Sequence, residues 1–288
     1  MGKERSETDL NSEDASEHET EPKKPSQQIM RHELKEALAA FQRSSVRLFF
    51  SGLSAGLEIG FSLFLMAVMQ TLLQDDLPKS VVDLLVANMY AFGFLLVILG
   101  RSELFTEQTS LAVLPVLSGQ ASLSGLLRLW AIVYVANILG AVAFAGMVAY
   151  LGPALGVIDP VVFTEIAHSV VHHAPPVILV SGILAGWLMG LLSWLVAAGR
   201  DTISQIVIVW LVTATIGLGH LHHSIVGTVE VLAGVFTSRE TTVADFGYFL
   251  FWTTLGNAIG GPVFLALLKH THARPDDPTE MTSARVHR

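Results

Sequence analysis

The chain has 288 residues, 51% of them hydrophobic and only 15% charged, with a formal net charge of −8 and a mean hydropathy of +0.55. Soluble domains carry about 25% charged residues, so a water-soluble globular protein is excluded. There is no cysteine, which removes disulfides and thiolate metal sites, and the acidity is local and favours no nucleic acid.

Within residues 1–27, the first 21 positions carry most of that net charge, about −6 of the −8. Glu4, Glu7, Asp9, Glu13, Asp14, Glu17, Glu19 and Glu21 face only Lys3 and Arg5 over the first 21 positions. Such a segment buries too little apolar surface to fold and is expected to be a disordered tail. It lacks the apolar core of a signal peptide. Residues 28–45 read as a helix with one apolar face, lying at the membrane interface. A membrane domain follows over 46–270, and 271–288 forms a second polar tail.

Six apolar stretches lie at about 48–73, 85–117, 126–150, 176–198, 205–237 and 246–268, close to the roughly 20 residues that cross a bilayer. The expected fold class is an all-α membrane protein with six transmembrane helices. Lys and Arg gather on the side of the termini. Only Lys79 and Arg239 fall on the other side, and Arg101 lies inside a span, so both termini are expected to be cytoplasmic. Gly52, Gly56 and Gly60 are spaced for close helix packing. Trp130, Tyr150, Tyr248 and Trp252 sit near span ends, as interface anchors do.

Spans two and five are interrupted, by Gly100-Arg101-Ser102-Glu103-Leu104-Phe105-Thr106 and by Gly217-Leu218-Gly219-His220-Leu221-His222-His223-Ser224-Ile225-Val226-Gly227. Broken helices are tolerated at membrane depth where they line a protected cavity. Glu103 and His223 are 120 positions apart, and so are Asn137 in Ala136-Asn137-Ile138-Leu139-Gly140 and Asn257 in Gly256-Asn257-Ala258-Ile259-Gly260. The shared offset predicts two inverted three-helix repeats, a transporter or channel signature. Half-helices starting inside the membrane would point free N–H groups and positive dipole ends at a pathway.

The motifs Ser102-Glu103-Leu104-Phe105-Thr106, Asn137-Ile138-Leu139-Gly140, His223-Ser224-Ile225 and Gly256-Asn257-Ala258-Ile259-Gly260 resemble those of the formate/nitrite transporter family. The likeness is greatest to its divergent YfdC-like branch, to which Leu111–Val116 and Gly227–Leu232 also point. The resemblance implies an aquaporin-like fold and a homopentamer in the bacterial inner membrane, each protomer passing a small monovalent anion or its neutral acid. It also implies a central pore histidine at His223, faced by Leu104, Phe105 and Thr106. Tyr90, Phe94 and Ile216 would stand near two apolar constrictions. The chain departs from the family pattern where Val170 takes the place of a vestibule lysine, and where Gly186 and Gly227 replace asparagines.

An imidazole with an ordinary pKa of about 6.5 can exchange a proton near neutrality, which spares an anion the cost of desolvation. Alternatively His223 only holds the broken helix together. Asn137 and Asn257 either line the pathway or bond helices to one another. Glu58, Glu103, Glu230 and Arg101 are charges within spans; Arg101 is expected to pair with one of these acids, and a proton relay is the other reading. If Glu230 faces the pathway, selectivity shifts toward neutral solutes. His168, His172 and His173 read as the rim of an outer loop. His220 and His222 lack a neighbouring carboxylate or cysteine, so neither a metal nor a cofactor is expected. An enzyme is not expected either, because Ser224 lacks a nucleophile motif.

Overall fold

A computed structural model describes residues 23–264. The acidic segment 1–22, the end of the sixth apolar stretch and the 271–288 tail lie outside the described residues. Every regular element among the described residues is a helix.

Helix α1 (Ser26–Gln42) buries Ile29, Glu33, Ala37 and Ala40, a stripe at helical spacing. The expected apolar face therefore exists, and it is covered by protein. Ile29 and Ala37 pack with Leu111, Leu114, Trp194 and Ala197. The next elements are α2 (Ser45–Leu73), α3 (Lys79–Gly100), α4 (Phe105–Leu111), α5 (Val113–Leu117) and α6 (Leu123–Ala154). They are followed by α7 (Pro160–Val171), α8 (Pro175–Ala198), α9 (Thr202–Leu218), α10 (Ser224–Thr237) and α11 (Val243–Pro262).

Four of these, α2, α3, α6 and α8, are long and apolar enough to cross a membrane. The other two expected crossings fall on α9 with α10, two shorter apolar pieces, and on α11. Both expected interruptions are present, at residues 101–104 and 219–223.

Helix α7 is a finding that the sequence reading missed. Residues 151–175 were expected to form an outer loop, yet residues 160–171 form a helix packed on α10. Asp159 caps it by accepting from the Val161 N–H, and Pro160 opens its first turn, where a proline costs no hydrogen bond. That signal is visible in the sequence.

Two helix pairs approach most closely, α2 with α6 and α8 with α11. Glycine permits both approaches. A Cβ on Gly56 would strike the Asn137 carbonyl, and one on Gly186 would strike the Asn257 carbonyl. Helix α4 packs chiefly against α8 and α11, and α10 against α6 and α7. Each short helix after an interruption thus inserts into the other half of the chain. Helix α10 is buried continuously from Ser224 to Gly234, Thr228 and Glu230 included.

The interruptions share one backbone device. After α3, Arg101 N–H bonds the Ile98 carbonyl and Ser102 N–H the Val97 carbonyl; after α9, His220 N–H bonds Gly217 and Leu221 N–H bonds Ile216. This is the Schellman ending, which needs a left-handed residue just past the helix. Arg101 (φ 58°) and His220 (φ 48°) supply it, whereas Gly219 is right-handed. The glycines expected to open the second interruption serve differently: Gly217 lets α9 lie against Tyr90, where a Cβ would come within 2.9 Å.

Candidate functional site

Each interruption is closed by an asparagine. Asn137 Oδ1 accepts from Phe105 N–H at 2.7 Å, while its amide donates to the Gly52 carbonyl at 2.7 Å and the Glu103 carbonyl at 2.9 Å. Asn257 Oδ1 accepts from Ser224 N–H at 2.8 Å, and its amide donates to Gly182 at 2.9 Å and His222 at 3.0 Å. Backbone N–H groups only donate and carbonyls only accept, so both amide orientations are determined. All three bonding directions of each asparagine go to backbone. Both asparagines thus bond helices to one another.

These bonds also correct the register. Arg101 matches His220, Leu104 matches His223 and Phe105 matches Ser224, at a spacing of 119. The expected partner of His223 was Glu103, one position away. Leu104 and His223 each stand immediately before a half-helix, but only His223 caps its helix with a side chain.

His223 Nε2 lies 2.8 Å from Thr106 Oγ1. Its Nδ1 accepts from Val226 N–H at 3.3 Å, so Nδ1 carries no hydrogen and Nε2 is the donor to Thr106. The Thr106 hydroxyl hydrogen is then left to donate elsewhere. Both side chains are buried. The Phe94 ring stands edge-on to the imidazole with centroids 5.1 Å apart, and Tyr90 follows 5.4 Å from Phe94. Phe105 is not part of this stack; its ring packs on Tyr134 and Trp130 of α6. The half-helix N–H groups of Phe105, Ser224 and Val226 are all taken by side chains, so they do not face a solute as expected.

Two cavities open among the elements around this pair, and neither is lined by Thr106 or His223. One, of about 470 Å³, is lined by Tyr90, Ile216, Glu230 and Val170. The other, of about 440 Å³, lies at the α1 end, with Glu33, Arg43, Arg101 and Glu103 in its wall. Glu103 accepts from Arg43 and from Gln108, so its ionic partner is Arg43 rather than Arg101. Arg101 makes no ion pair among the described residues. Glu58 accepts from Ser54 at 2.6 Å. Glu33 on α1 is 2% exposed, and burial, reinforced by nearby Glu36, pushes its carboxyl up to about 8.

His222 Nε2 donates to the Val170 carbonyl at 3.0 Å, and its Nδ1 meets Ser181 Oγ at 2.8 Å. His168 and His172 meet edge to face, with ring centroids 4.6 Å apart. Among the described residues no three histidine, aspartate or glutamate side chains form a metal-binding group. Two departures from the expected pattern have packing causes. Gly186 faces the Asn257 backbone, and a Cβ on Gly227 would meet the fully buried Phe249.

Comparison with known proteins agrees with this architecture. Residues 27–271 match the family model described as formate/nitrite transporter. The chain is similar to the inner membrane protein YfdC of Escherichia coli K12, with 34% identity over 238 residues, 82% of this chain and 74% of that protein. Among solved structures, a channel described as an FNT family ion channel superposes with TM-score 0.77 at 23% identity, covering 86% of this chain and 99% of its own. A pentameric formate channel with formate bound superposes with TM-score 0.69 at 22% identity, covering 79% and 97%. The chain belongs to the formate/nitrite transporter family.

Proposed function

We propose that this protein is a channel or secondary transporter for small monovalent anions, or their conjugate acids, of the formate/nitrite kind. The observation that carries the reading is the Thr106–His223 pair, buried where the two helix interruptions meet and joined through Phe94 and Tyr90 to the wall of a cavity of about 470 Å³. Six crossings in two inverted halves, with α3–α4 and α9–α10 as the broken pair, are supported by the matched endings and asparagine clamps. A homopentamer with one pathway per protomer is drawn from the similar formate channel. The Lys and Arg distribution supports cytoplasmic termini in an inner membrane, so the 440 Å³ cavity faces the cytoplasm.

In this reading a solute leaves one cavity, passes Phe94 and Ile216, and exchanges water for the Thr106 hydroxyl. His223 works as a neutral donor. Protonating Nδ1 would set it against the Val226 N–H and break the helix cap, so the imidazole polarises Thr106 rather than storing a proton. The step stabilises an anion, or the oxygen of its acid, where water has been stripped.

Uptake of formate and nitrite into proteoliposomes tests this with wild type, His223→Phe and His223→Asn. The asparagine retains a capping side chain, so loss of flux in both variants is the expected result. Unchanged flux removes His223 from the pathway. A second reading, a channel for small neutral solutes, is favoured by Val170 and Glu230 in the outer cavity wall. Osmotic swelling with glycerol, without formate flux, would select it.

A further inference from the structure

Glu230 is a buried acid without a partner. It is 6% exposed, lies two turns after His223 on α10, and faces the outer cavity together with Tyr90 and Ile216. It makes no hydrogen bond or ion pair with the protein among the described residues. The other ionisable groups around that cavity are Lys79, Asp83, Tyr90, Glu165 and His220. Lys79 is held by Asp83 through two bonds of 2.7 and 2.9 Å, and Glu165 accepts from Gln70 at 2.8 Å. The one lysine is therefore neutralised locally, while Glu165 and Glu230 leave the cavity acidic.

A carboxyl in an apolar wall is costly unless something bonds it. Two chemistries meet that need: a cation, or a neutral solute with a hydrogen to donate. Between that cavity and His223 stand the rings of Tyr90 and Phe94, an apolar surrounding that suits the uncharged donor. We propose that Glu230 makes the outer cavity an acid-selecting mouth. It binds a small weak acid in the neutral, proton-bearing form, its carboxylate accepting the O–H of that acid, and it repels the corresponding anion. This deepens the transport reading above and rests on it. No covalent bond changes; the acid keeps its proton until it has passed the mouth.

The test separates charge-carrying from electroneutral flux. Proteoliposomes with formate are assayed for current and for internal acidification at pH 6 to 9, using wild type, Glu230→Gln and Glu230→Asp. Wild type is expected to acidify the interior with little current, its rate falling about tenfold per pH unit as the neutral form becomes scarce. The glutamine variant is expected to raise the anion current roughly tenfold or more, because a like charge a few ångströms away is removed. Its pH slope should flatten, while aspartate stays near wild type. A glutamine variant with the wild-type ratio of current to acid flux overturns the proposal. So does a wild-type formate current that exceeds the acid flux, a result that needs no variant to fold. Absence of any formate or nitrite flux in wild type overturns the transport reading, and this inference with it.

Discussion

Asn137 and Asn257 close the two helix interruptions with the same three hydrogen bonds, one from the first N–H of a half-helix and two to carbonyls of neighbouring backbone. Neither side chain is exposed. An interruption in lipid frees polar backbone groups that water cannot reach, and one amide on each side satisfies three of them. The clamps hold Thr106 and His223 at hydrogen-bond distance, since each clamp positions the start of the half-helix on which one of them sits.

Asn257→Ala leaves one donor and two acceptors unsatisfied at a buried position. A loss of about 3 kcal/mol is expected, with a melting temperature lower by roughly 6–12 °C in detergent. Asn257→Asp keeps the bond from Ser224 N–H and loses both donated ones, so it should fall as far or further. A change under about 1 °C for either variant would show that the clamp does not support the fold.

Thr106→Val preserves shape and removes the acceptor of the His223 Nε2 hydrogen. Stability should drop by about 1–3 kcal/mol, and formate flux roughly tenfold for the lost hydrogen bond to the solute. Nitrogen NMR on labelled histidine supplies the independent check. His223 should appear as the neutral form protonated at Nε2, because Val226 N–H occupies Nδ1. Finding the hydrogen on Nδ1 would contradict the donor role of the imidazole.

Arg101 and His220 occupy left-handed backbone that disfavours a side chain by about 1–2 kcal/mol. His220→Gly should therefore raise the melting temperature by about 2–8 °C, despite placing a third glycine near the interruption. A lower melting temperature would mean that the His220 side chain contributes more than its strain costs.

Most of this architecture was legible in local pattern. Apolar runs located the helices, and the polar residues inside them located the interruptions, while the facing of His223 by Thr106 was implied by the family resemblance alone. What failed depended on partners far away in the chain. Arg43 reaches Glu103 across 60 positions, a pairing no spacing rule suggests, so Arg101 was the natural but mistaken partner. The offset of 120 is right for the asparagines and one too long for the interruptions, because the endings align on Arg101 and His220 rather than on acid and histidine. Glycines were credited with the second break, yet the left-handed position went to His220 while Gly217 served packing. Helix α7 was a missed signal rather than a hidden one, since Asp159-Pro160 before an apolar run marks a helix start.

Glu33 makes the seating of α1 dependent on pH. Its carboxyl is raised to about 8 by burial, with repulsion from Glu36 as the smaller cause, and one carboxyl oxygen has no hydrogen-bond partner. An acid whose pKa is higher when docked than when free binds more protons in the docked state. Docking is therefore fully supported below the ordinary carboxylate range and weakens as pH rises from about 4.5 to about 8. The shift corresponds to a few kcal/mol, on the order of 1.4 per pKa unit. Protection against hydrogen exchange over residues 26–42, taken relative to the intrinsic amide rate at each pH, should be high at pH 5 and markedly lower at pH 9, and Glu33→Gln should remove most of that difference. Equal protection of α1 in wild type at the two pH values would show that the buried carboxyl does not govern its docking.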